Sequence, residues 1–106
     1  MRTGRAAGPK TLAEFRETLS GPQPPAGLDA PLQALWHDAR GDWGRAHRIA
    51  MDAKGGDGAW VHAYLHRKEG DLDNARYWYR KAKRPEPAGT SGKEWAAIVA
   101  TLLEHG

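Results

Sequence analysis

His62 and His66, followed by Glu69, are the residues of this chain whose types and spacing best fit chemistry. Two imidazoles four residues apart on a helix share a face and can hold one metal ion. A third imidazole from a neighbouring helix would complete the ligand set, and His37 is the residue the sequence pattern offers. With Glu69, these residues make a metal or acid/base site one of the readings of the chain. Two features count against it. No acid directly follows His62, where a zinc-protease base would stand. His37 and His66 also occupy equivalent places near helix C-termini, where an imidazole bonds a free carbonyl and its cation suits the helix dipole. The expectation is therefore structural, with no catalytic residue, metal or cofactor assigned. Should a metal bind, His37, His62 and His66 are its ligands. His47 and His105 have no evident chemical company.

The elements that position these residues come from a repeat. Residues 34–54, ALWHDARGDWGRAHRIAMDAK, align with residues 63–83, AYLHRKEGDLDNARYWYRKAK, at an offset of 29 residues. Ala34 meets Ala63, His37 meets His66, Gly41-Asp42 meets Gly70-Asp71, and Ala46 meets Ala75. Each unit (about 29–54 and 58–83) reads as two helices around a Gly-Asp turn. The glycine takes a left-handed C-cap, and the aspartate caps the next helix. Asp29 and Asp57 are the expected N-caps of the first helix in each unit. Thr11-x-x-Glu14 and Ser91-x-x-Glu94 are capping-box patterns opening two flanking helices. The C-terminal one, about 92–104, carries the stripe Trp95, Ile98, Val99, Leu102, Leu103. Residues 1–10 read as a flexible basic N-terminus. The fold class is all-α, about six short helices in one compact domain over 11–106.

The helix-turn-helix unit with small residues at fixed places resembles the tetratricopeptide superfamily. Ala63, Gly70-Asp71, Ala75, Trp78-Tyr79, Ala82 and Pro85 carry the likeness, which implies a helical-repeat protein that works by binding. The block WVHAYLHRKEGD, together with Trp36-His37-Asp38 and Gly41-Asp42-Trp43, also resembles a group of short, uncharacterised bacterial and fungal proteins, and implies no activity.

Composition narrows the classes further. The chain of 106 residues has no cysteine, which removes disulfides, thiolate zinc sites and cysteine nucleophiles. No apolar run suits a signal peptide or a membrane span, so a soluble, cytoplasmic protein without a membrane partner is expected. Residues 60–84 hold seven Lys/Arg against three Asp/Glu, whereas residues 85–106 hold one against three. No phosphate loop or nucleophile elbow occurs.

Two surfaces follow. Helical wheels put Gln33, His37 and Arg40 on one face and His62, His66 and Glu69 on the equivalent face of the other unit. Stacked repeats would make these a polar groove, with Arg40 and Glu69 paired across it and Trp36 and Trp60 beside it. Trp60 is expected to be partly exposed; Trp36, Trp78 and Trp95 read as core. A protein or peptide partner in that groove is the leading reading. The second is nucleic acid on the basic face of Arg76, Tyr77, Arg80, Lys81, Lys83 and Arg84. A histidine-based metal enzyme comes third.

Overall fold

In the computed structural model, residues 8–105 are described, so the expected basic N-terminus falls largely outside the described residues. Six helices follow in order: α1 (Leu12–Thr18), α2 (Ala30–Ala39), α3 (Trp43–Asp52), α4 (Gly55–Glu69), α5 (Leu72–Ala82) and α6 (Ser91–His105). No strand occurs among the described residues. The architecture is all-α, with α2–α3 and α4–α5 as two antiparallel hairpins.

Local chemistry sets most of the boundaries. Thr11 and Glu14 form the reciprocal capping box at α1. Asp29, Asp42 and Asp71 accept from the third amide of α2, α3 and α5, respectively. Gly41 and Gly70 lie at φ 87° and 94°, in the left-handed region. The amides of Asp42 and Asp71 then close back on the carbonyls of His37 and His66, each at 2.9 Å. These are the long bonds of a glycine-terminated helix, so the backbone itself satisfies those carbonyls.

Two expected caps are corrected. α4 begins at Gly55 after Lys54, and Asp57 sits in its first turn, 3.5 Å from His105. At α6 the cap is Thr90, whose hydroxyl accepts from the Lys93 amide at 3.1 Å. Glu94 does not reach back to complete a box. It turns inward, because its position on the first turn faces α4 and α5.

α6 lies over α1, α2 and α4, burying Trp95, Ile98, Val99 and Leu102. The Trp95 indole N–H donates to the Leu35 carbonyl at 3.0 Å, and its ring meets Phe15. Two buried carboxylates tie the layers together. Asp38, 2% exposed, accepts from the Tyr64 hydroxyl at 2.5 Å and from Lys68 Nζ at 2.9 Å. Glu94, 6% exposed, accepts from the Tyr79 hydroxyl and from Arg67 Nη1 at 3.1 Å, and Arg67 also donates to the Gly89 carbonyl. Burial, and then the bonded carboxylate, pushes both tyrosine pKa values well up, so each hydroxyl stays a donor.

Removing a donor from a buried carboxylate leaves it under-satisfied. Tyr64→Phe is expected to lower stability by about 1–3 kcal/mol in urea denaturation, with helical content retained. A change under roughly 0.5 kcal/mol would show that Asp38 does not depend on that hydroxyl.

Candidate metal centre

α3 and α4 cross so that His47 faces His62 and His66. The three rings form a nearly equilateral triangle, with centroid separations of 4.7 Å (47–62), 5.0 Å (47–66) and 4.8 Å (62–66). One nitrogen from each lies within 4.8 Å of the other two. The Nε2 atoms of His47 and His62 are already 3.0 Å apart. Tetrahedral zinc with imidazole ligands needs N···N separations of about 3.3 Å, so small side-chain rotations close the set.

Two tryptophans wall the triangle. Trp43 and His47, one helical turn apart on α3, stack at 4.8 Å and 8°. The Trp43 indole N–H donates to the Leu65 carbonyl at 2.9 Å, which fixes that plate against α4. Trp78 of α5 stacks on His62 at 4.0 Å and 21°. His62 and His66 are only 4% and 6% exposed, and His47 is half-buried.

The electrostatics favour neutral imidazole at His47 and His62, the form that ligates metal. Desolvation, followed by the nearby His66 and His47, pulls the His62 pKa down to about 4. Desolvation also lowers His47, with His66 adding to it and Glu69 opposing. His66 Nδ1 lies 2.8 Å from a Glu69 carboxylate oxygen. Donation along that bond leaves the His66 Nε2 lone pair free, the arrangement of a carboxylate supporting a ligating histidine. A metal held by these three imidazoles would keep one position open, where it could polarise a bound oxygen or lower the pKa of a bound water. Glu69 and Asp71 also come near a His66 nitrogen, but both are exposed and Asp71 is committed to capping α5.

The expected ligand set therefore changes by one residue, since His47 takes the place of His37. His37 packs edge-on against Trp36 at 5.1 Å, and desolvation and Arg45 lower its pKa. The polar groove across α2 and α4 does not assemble either, because α3 and α5 cover the His62/His66 face. Gln33 donates to the Leu28 carbonyl instead. Arg40 donates to the carbonyls of Leu19 and Gly21, and its guanidinium lies over Trp36, itself buried and bonded to Thr18. Its expected partner Glu69 bonds His66. Trp60, expected to be partly exposed, is buried with the Arg84 guanidinium 3.9 Å above its ring. On the basic face Arg76 pairs with Asp73 and Glu86, and Lys81 lies over Tyr77. Arg80 and Lys83 are exposed there.

His47 escaped the repeat comparison because its counterpart is Arg76. The available signal was Trp43-x-x-x-His47, which has the same helical spacing as His62 and His66. No protein family, curated protein or solved structure matches the chain.

The buried imidazoles make stability depend on pH. An unfolded histidine titrates near 6.5, whereas folded His62 does so near 4, so the unfolded chain binds more protons between these values. The stabilisation from neutral His62 is whole above about pH 6.5 and is lost as pH falls toward 4. Urea denaturation of the metal-free protein at pH 7.5 and 4.5 is expected to show a loss that His62→Asn reduces by about 2–3 kcal/mol. A pH dependence identical in both proteins would contradict neutral burial of His62.

Proposed function

We propose that this protein is a small helical metal-binding module that holds one divalent transition-metal ion through His47, His62 and His66. One observation carries the reading: three imidazoles from two helices converge within 4.8 Å, walled by Trp43 and Trp78. An all-imidazole set suits zinc and its neighbours in the first transition row and is poor for magnesium or calcium. The open fourth position suits binding and activation of an oxygen ligand, so a metal-dependent reaction is compatible with the site and no substrate is assigned. A soluble, cytoplasmic setting belongs to the same proposal, in keeping with a chain that is 27% charged and has no helix long and apolar enough to cross a membrane among its described residues.

A second reading keeps the tetratricopeptide-like likeness and a protein or peptide partner. The shared Gly-Asp turns of the two hairpins favour it, as does the exposure of Met51, Leu72 and Tyr77 on α3 and α5. Nucleic acid on the 76–84 face has less support, since several of its cations are engaged within the chain.

Calorimetric titration of chelator-treated protein with zinc tests the first reading. One equivalent should bind with submicromolar affinity and release of protons. His47→Ala and His62→Ala should each weaken binding at least tenfold, and His37→Ala should leave it unchanged. Absence of binding, or affinity indifferent to His47, would remove the proposal.

A further inference from the structure

A cavity of about 450 Å³ opens beside the centre, walled by His62, Trp78 and Lys81, by the start of α4 at Gly55, Gly56 and Ala59, and by the end of α3. We propose that it binds a small oxyanion, the phosphate or carboxylate group of a compact metabolite, hydrogen-bonded to His62 and paired with Lys81. The proposal rests on the metal reading above.

His62 supplies the first argument. Its Nε2 faces His47, while its Nδ1 has no hydrogen-bond partner among the described residues. A metal on Nε2 places the imidazole proton on Nδ1. That N–H belongs to a ring only 4% exposed, and an unmet donor at such a site is costly. The ring lines the cavity, and the acceptor that we place there would meet that N–H.

Two of the other walls bring positive charge, opposite the carbonyl end of α3 at Ala50, Met51 and Ala53. α4 starts here, with Lys54 as its N-cap and no side chain bonding its first amides. Those amides carry the positive end of a 15-residue helix. Lys81 has no carboxylate partner among the described residues, and its Nζ rests 5.8 Å from the centre of the Tyr77 ring. The acid of the first turn, Asp57, is engaged with His105 and is not part of the lining. The remaining walls are mostly alanine and glycine, which leave room for an organic remainder only a few atoms across. Bound there, the anion would polarise the His62 ligand and so tighten the metal, and the metal would reciprocally tighten the anion.

The test is a ¹H–¹⁵N NMR titration of protein carrying one equivalent of zinc, with inorganic phosphate and acetate in separate arms and chloride as control. Saturable shifts are expected at the Gly55, Gly56 and Ala59 amides and at the His62 ring, with phosphate or with acetate but not with chloride. The stronger arm identifies the preferred headgroup. Lys81→Glu should weaken that anion at least tenfold while leaving the zinc-induced shifts of His47 intact. Equal shifts with chloride, no saturation in either arm, or indifference to Lys81→Glu would overturn the anion site and leave the metal site standing. Failure of the zinc step itself overturns both.

Discussion

The rotation of α4 about its own axis is the constraint on which this molecule depends, and two buried carboxylates set it. Asp38 holds Tyr64 and Lys68 on one side of α4, and Glu94 holds Arg67 on an adjoining side. At 100° per residue, His62 and His66 lie on the far side of the helix from Tyr64 and Lys68. Bonding the charged half inward against α2 and α6 therefore commits the imidazoles to face α3 and α5. A buried carboxylate is costly unless fully bonded, so only a narrow range of α4 rotations is tolerated. The histidine face inherits that precision from bonds made on the opposite side of the helix.

The surroundings of the three imidazoles follow from the same setting. Trp43 and Trp78 bring flat apolar walls, which remove water and disfavour the imidazolium form. A metal ion needs that neutral form, and Glu69 orients one ring through its outer nitrogen. Without an ion, the 3.0 Å contact of His47 and His62 is a hydrogen bond between one donor and one acceptor nitrogen. The cluster is thus satisfied in part by its own nitrogens, so the fold would form without an ion. The cavity beside His62 lies at the seam of α3, α4 and α5, where the small residues that let helices approach also leave space.

Much of the fold was legible because its signals are local. Gly41, Gly70, Asp42 and Asp71 act on their own turns, and the α6 stripe needs only one apolar neighbour to explain it. Glu94 shows where local reading fails. Its spacing after Ser91 matches a capping box, yet Tyr79 and Arg67, distant in sequence, give it a better set of bonds inside. Asp38 is the same case from α2, an acid whose partners sit on another helix. The site was half legible. Helical spacing correctly put His62 and His66 on one face, but a helical wheel does not say which neighbour covers that face. α3 does, and it brings His47, a residue whose repeat counterpart, Arg76, is no histidine. His37 matched His66 by position and still ends beside Trp36, because equivalent faces of successive hairpins meet different neighbours.

The central claim is that His47, His62 and His66 converge on one metal ion with a position left open. X-ray absorption at the zinc edge of stoichiometrically loaded protein measures that coordination directly. The account predicts four ligands near 2.0–2.1 Å, three showing the outer-shell scattering of imidazole and one a single oxygen or nitrogen. An all-oxygen shell of six, or one imidazole or none, would mean that the histidine triangle is a packing device and not a metal centre.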